Sequence, residues 1–230
     1  MLAREHRVAT SALADIVFRR VVRASDALEG RPVWVVREGL LDEAVPLVSE
    51  FSDGAAALSM DFYESSREAA GVSGRFTPPP APVPPVEQTE GTIRYMVGFL
   101  AGEAASSHGD VSRMVAGSLA RSVLDVGDET VVSATRADEA ARGWSRVLEP
   151  GACDFCRMLS DRGGVYTGES VRFASHDNCR CSAAPHFSWG EGDRRVSTVP
   201  FQASQRRMNE RTRELNRRRV KEFIAANYGD

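Results

Sequence analysis

Cys153-Asp154-Phe155-Cys156 is followed, across a loop of about twenty residues, by His176-Asp177-Asn178-Cys179-Arg180-Cys181. All four cysteines of the chain fall in these two short segments. Cys-x-x-Cys aims two thiolates at one point, and His-x-x-Cys offers a second pair from across the loop. Such a two-plus-two arrangement suits the tetrahedral nitrogen and sulfur coordination of zinc. Five side chains compete for four positions: Cys153, Cys156, His176, Cys179 and Cys181. In an extended segment Cys179 and Cys181 face the same way, but Arg180 between them supplies no turn to bring both thiolates round one ion. The expected set is therefore Cys153, Cys156, His176 and Cys179, with Cys181 as the substitute ligand and His186 as a surface or packing residue. A full set leaves no coordination position for an activated water, so the zinc is expected to be structural. It would clip together the loops of a region with few apolar residues to bury. Two other readings remain open: a pair of disulfides, which belongs to an oxidising environment, and four reduced, metal-free thiols.

Outward from this lobe the pattern is helical. Residues 2–29 carry Leu13, Ile16, Val17, Val21 and Leu28 at three-, four- and seven-residue steps, with Arg19, Arg20 and Arg23 on other faces. Gly30 with Arg31-Pro32 is a stop signal. A second helical stretch, 33–70, is expected to break or restart at Pro46, because proline cannot continue the hydrogen-bond ladder. Its Phe51, Ala55, Leu58, Phe62 and Tyr63 make a wide apolar stripe, and Ala55-Ala56-Ala57 allows close approach of a neighbour. Six prolines between Pro78 and Pro85 then predict an extended, semi-rigid polyproline segment over 76–86. Helices are expected again over 89–105 and 111–124, with a turn at Asp125-Val126-Gly127-Asp128. Short strands are expected at Val131-Val132 and at 144–148, around a helical 135–141.

The organisation expected from this pass is a helical arm over 1–75, the proline-rich linker 76–86, a cysteine-bearing domain over 87–200 and a basic helix over 201–230. The fold class is mainly α, with a small α+β cysteine/histidine-rich lobe. A hydrophobic fraction of 42% and a charged fraction of 27% exclude wholesale disorder. A net charge of -3 excludes a polycation that coats nucleic acid along its whole surface. No stretch has the eighteen apolar residues of a membrane span, and the charged start lacks the apolar core of a signal peptide. The protein is expected to be made in the cytosol and to act without a membrane.

Charge is uneven along the chain. Between residues 202 and 224, Arg206, Arg207, Arg211, Arg213, Arg217, Arg218, Arg219 and Lys221 stand against Glu210, Glu214 and Glu222. The local balance is 8 − 3 = +5, so the rest of the chain carries -8 to reach -3. A basic helix on an acidic body can touch nucleic-acid phosphates, pair with an acidic protein surface, or stay solvated with internal ion pairs. Only Phe223 and Tyr228 are aromatic there, which argues against single-strand readout by stacking. Lys221 is the only lysine; that bias reflects a GC-rich coding sequence and carries no function.

Enzymatic signatures are sparse. The phosphate-binding Gly-x-x-x-x-Gly-Lys-Ser/Thr loop, the Gly-x-Ser-x-Gly elbow and His-Glu-x-x-His are absent. His176 and Asn178 within a cysteine-bearing loop suggest one rival, a zinc-clipped HNH-like nuclease. That chemistry needs a second metal held by further histidine or acidic side chains, and only His186 stands nearby.

The segments Gly151-Ala152-Cys153-Asp154-Phe155-Cys156-Arg157-Met158-Leu159 and His176-Asp177-Asn178-Cys179-Arg180-Cys181-Ser182-Ala183 resemble the end of the MuF-like minor head proteins of tailed phages, whose hallmark is Cys-x-x-Cys followed by His-x-x-Cys-x-Cys. Ala55-Ala56-Ala57-Leu58, Phe62-Tyr63 and Ala70-Gly71-Val72-Ser73-Gly74-Arg75-Phe76 ahead of the prolines resemble the actinobacteriophage branch, as do Arg136-Ala137-Asp138 and Gly143-Trp144-Ser145-Arg146-Val147. Asp177 stands where many relatives have proline, which bears on the rigidity of the loop and not on its ligands. The resemblance implies a structural, non-enzymatic minor capsid protein in the virion, at the portal vertex or head interior. Its implied partners are the portal protein, other phage head proteins and packaged phage DNA, with no small-molecule substrate. Roles in head assembly and in DNA packaging or ejection follow from the same likeness.

Overall fold

The computed structural model describes residues 1–101, 105–164, 166, 173 and 175–188. Four helices supply the frame: α1 (Leu2–Asp26), α2 (Val33–Ala69), α3 (Val86–Val97), which runs into a short 3-10 turn (Gly98–Leu100), and α4 (His108–Ala137). They are followed by β1 (Gly143–Val147), the short α5 (Asp154–Ser160) and β2 (Ser182–His186). The molecule is mainly helical with a small α+β portion, as its sequence pattern requires.

α1, α2 and α4 pack on one another, and α3 closes against α2 and α4. Val17 and Val21 of α1, Leu40 and Leu47 of α2, Ile93 and Val97 of α3, and Val115, Leu119 and Val123 of α4 share one apolar core. That core draws on residues from both sides of the proline-rich segment. The segment itself is extended, and it lies along the bundle. Ala81 is buried with Ala56 and Val126, and its N–H donates to Thr130 Oγ1 at 3.0 Å.

Three local expectations are corrected. Pro46 does not interrupt α2, which is continuous from Val33 to Ala69. Pro46 and Asp42, whose carbonyl loses its helical partner, are both exposed, on the side of the helix turned to solvent. The flanking Leu40, Leu41, Ala44, Leu47 and Val48 hold the helix through the break. Residues 125–128 are not a turn, and Val131-Val132 is not a strand; both lie inside α4. Asp125 and Asp128 are bound by Arg121 from the same helix at spacings of four and seven. Gly127 has a second use, since a Cβ there would come within 3.0 Å of Ser59 Oγ and 3.5 Å of the Ala55 carbonyl on α2. What reads as turn chemistry is a buried ion pair beside a close helix crossing. α4 begins cleanly, with Ser107 Oγ accepting from the Asp110 N–H at 3.1 Å.

β1 lies where a strand is expected and pairs antiparallel with β2, Gly143 opposite His186 and Val147 opposite Ser182. The lobe is better cored than its composition suggests. Trp144, Tyr166, Phe173, Ala183 and Ala184 pack with Phe62 and Tyr63 of α2 and Val131, Val132 and Ala134 of α4. It borrows apolar surface from the far ends of the two long helices.

Candidate metal centre

The cysteine segments meet on this shared core. Gly151, at a φ of +78°, makes the turn ahead of α5. Cys153 caps that helix, and Cys156 in its first turn points inward, fully buried. On the other segment a turn closes from the Cys179 N–H to the His176 carbonyl at 3.1 Å, with Asn178 at a φ of +66°. Asparagine is among the few residues that accept this conformation readily. Gly117 of α4 makes room for it: a Cβ there would meet Asn178 Oδ1 at 2.7 Å. The chain direction therefore changes before Cys179, and not at Arg180. From Cys179 to Cys181 the segment is extended into β2, and alternation puts both thiols on one side.

The result is a buried group of three, Cys156, Cys179 and Cys181, whose sulfur atoms all lie within 4.8 Å of one another. Cys156 Sγ and Cys179 Sγ are 3.7 Å apart. Two sulfurs on one tetrahedral zinc at the usual Zn–S length stand roughly 3.8 Å apart, so the spacing fits the ion. All four cysteines are free thiols. Cys153, less deeply buried, sits at the rim with its Sγ 3.2 Å from His176 Nε2. His176 Nδ1 donates to the Asp177 carbonyl at 2.8 Å, which leaves the Nε2 lone pair of the neutral ring for a thiol proton or a metal. A histidine ligand is commonly oriented in this way, by a hydrogen bond from its other nitrogen to a carbonyl.

The local electrostatics favour one thiolate at the centre. The Cys181 thiol, hydrogen-bonded to Cys179, pulls the Cys179 pKa down to about 5 against the opposing effect of burial. Burial, reinforced by the negative charge on Cys179, pushes Cys156 up to about 12. The hydrogen bond that Cys181 donates to Cys179, with burial, raises Cys181 as well. At the rim, burial raises Cys153, but the Cys156 N–H and His176 outweigh it and its net shift is downward. The Asp177 carbonyl and then Cys153 raise His176. These opposed shifts concentrate the thiolate character of the trio on Cys179, and a divalent cation would compensate the charge of the others. Arg146 lies alongside, with its Nη1 3.6 Å from Cys156 Sγ and its guanidinium carbon 3.8 Å from the Phe173 ring centroid.

Behind the thiols α4 supplies a clamp that motif reading misses. Arg121 and Asp128 are almost fully buried and paired at 2.5 Å. Arg121 Nη1 also donates to the Cys179 carbonyl at 3.1 Å, and Asp128 Oδ1 accepts the Ala183 N–H at 2.9 Å. Burial pushes the Asp128 carboxyl up, to about 6, against the attraction of Arg121. The pair therefore grips the second cysteine segment at both ends of its extended run. Arg180 fixes the outer side: its backbone N–H donates to Glu149 Oε1 at 2.9 Å and its Nη2 to Asp15 Oδ1 at 3.2 Å, tying the loop to α1. The sequence signal for this clamp was an arginine followed at four and seven residues by aspartates in an otherwise apolar helix.

Of the five expected ligands, three converge tightly and two, Cys153 and His176, form a pair beside them. Cys181 belongs to the inner group. His186 stands apart, with its Nε2 2.7 Å from Ser145 Oγ and its ring against Gly164. The thiol trio is the one group among the described residues with metal-ligand geometry. The expected basic contacts Arg206, Arg207, Arg211, Arg213, Arg217, Arg218, Arg219 and Lys221 lie outside the described residues. No described helix is long and apolar enough to cross a membrane.

No curated protein and no solved structure matches the chain. A family of phage proteins does, across residues 2–225 and so across the bundle, the thiol cluster and the basic segment alike: the chain belongs to the VG15 protein family.

Proposed function

We propose that the chain is a structural minor capsid protein of a tailed phage, of the MuF-like kind, placed at the portal vertex or in the head interior. There it acts in head assembly and in DNA packaging or ejection, without turning over a substrate. The carrying observation is the enclosed thiol centre. Three cysteines sit in an apolar core, gripped from behind by Arg121 and Asp128. Such a centre is suited to holding loops in place. Membership of a phage family and the likeness of the cysteine segments to MuF-like head proteins support the placement. Cys156, Cys179 and Cys181 would hold zinc, with the fourth ligand from Cys153 or His176. When bound, zinc would supply a fixed cross-link between the α5 turn and the β2 approach. The basic segment 202–224 is the candidate contact to packaged DNA.

The placement is tested on particles. Peptide mass spectrometry and antibody labelling of proheads and purified virions should find the protein at low copy, beside the portal. Its absence from both particles would overturn the proposal. So would plasmid cleavage by purified protein with Mg²⁺ or Mn²⁺ that disappears in His176→Ala, the signature of the nuclease alternative. Elemental analysis should find one zinc per chain, lost in Cys179→Ser.

A further inference from the structure

α2 presents an acidic face that nothing described covers. Asp42, Glu50, Asp53, Asp61, Glu64 and Glu68 are all exposed. At 100° per residue they fall within about 100° of arc, a stripe that runs about 39 Å along the helix. The ion pairs of α2 are made elsewhere, by Arg37, Glu38, Glu43 and Arg67; none of the six carboxylates is in an ion pair among the described residues. Like charges along one helix face repel one another, so the stripe is a cost unless something basic lies on it.

The chain holds its own complement. Residues 202–224 carry a net +5 and the rest of the chain -8, and α2, with eight carboxylates against Arg37 and Arg67, has a net charge of 2 − 8 = -6. The length of the chain allows the contact. Phe187 and Ser188, the last described residues of the lobe, line one shallow cavity with Ser66, Ala69 and Ala70 at the C-terminal end of α2, on the side of the helix turned away from the stripe. Thirteen residues, 189–201, separate Ser188 from the basic segment. Their full reach of about 45 Å covers any point on the stripe.

We infer that the basic segment 202–224 docks on the acidic face of α2 of its own chain, running back from Glu68 toward Glu50. The contact is electrostatic and reversible, so nucleic acid and the α2 face compete for the same arginines. This assignment does not depend on where in a virion the protein acts.

Lys221, the only lysine, makes the test specific. The full-length protein is treated with a zero-length carbodiimide, which joins an amine to a carboxylate in contact with it, and the products are mapped by mass spectrometry. Lys221 should link to carboxylates of the stripe, within chains of monomer mass. The yield should fall at least about fivefold at 1 M salt, where the screening length is about 3 Å. The quadruple variant Asp53→Asn, Asp61→Asn, Glu64→Gln, Glu68→Gln should lower it by about tenfold with an unchanged circular dichroism spectrum, while Glu29→Gln should leave it intact. Links from Lys221 chiefly to other carboxylates would overturn the inference, as would a salt-independent yield. Links chiefly between chains in a mixture of ¹⁴N- and ¹⁵N-labelled protein would assign the face to a second copy and overturn it too.

Discussion

His6 shows how one buried side chain makes stability depend on pH. Its ring stacks on Phe62 with centroids 4.2 Å apart, and its Nε2 lies 2.9 Å from Ser59 Oγ. Burial lowers its pKa from 6.5 to about 4, because the closed α1–α2 contact disfavours the imidazolium. The unfolded chain takes up the proton near 6.5 and the folded one only near 4. The stabilisation is thus complete above the higher value and is lost as pH falls through the lower. Between pH 7 and about pH 4.5 the loss is on the order of 2–3 kcal/mol from this group. Urea unfolding at the two pH values should show it, and His6→Gln should remove most of that difference while costing some stability at pH 7. An equal pH dependence in wild type and variant would assign the acid sensitivity to other groups. None of this was legible from His6 in the sequence, where it is one polar residue in a charged helix start. Its environment is made by Phe62 and Ser59, fifty-three to fifty-six residues away.

At the scale of elements, α4 carries both the success and the failure of sequence reading. Its apolar repeat up to Leu124 is plain, as is the cysteine spacing that it will support. The stretch Asp125-Val126-Gly127-Asp128 misleads, because composition cannot separate residues chosen for a turn from residues chosen for a buried ion pair and a close crossing. β2 gives no signal either: Ser182-Ala183-Ala184-Pro185-His186 has no β-branched residue, and only pairing with β1 makes it a strand. Sequence spacing places Cys181 below Cys179 for a related reason, since the turn that brings both inward lies upstream at Asn178. Gly117 tests this coupling. In an isolated helix Gly→Ala is worth roughly 1 kcal/mol in favour of the helix. Here the added Cβ would stand 2.7 Å from Asn178 Oδ1 and 3.2 Å from its Cγ, and so push the side chain of the residue that turns the chain toward Cys179. Gly117→Ala should therefore leave helicity unchanged or higher, yet weaken Co²⁺ binding by about tenfold, read from the thiolate-to-metal absorption. Cobalt affinity equal to wild type would mean that the turn holds its shape without α4.

For the whole molecule the question is how far the thiol centre and the bundle are one cooperative unit. The lobe core includes Phe62, Tyr63, Val131 and Val132 as well as the cysteines, so a metal is one of several ties. The Arg121–Asp128 pair is another, and it holds the Cys179 carbonyl and the Ala183 N–H whether or not a cation is present. Removal of metal should then loosen what only metal joins. The exposed side of α5 with Cys153, and the turn at 176–178, have few other anchors. Hydrogen exchange of metal-loaded and chelated protein separates the two regimes. Chelation should speed exchange over residues 153–160 and 176–179 by at least about tenfold, while the Ala183 amide and α4 from Val111 to Thr135 keep their protection. Acceleration that spread through α4 would place the buried pair downstream of the metal, and would make the cysteine cross-link the condition for folding of the bundle end on which the lobe rests. If it stops at Cys179, the helices come first: the ion closes a loop onto a scaffold already built.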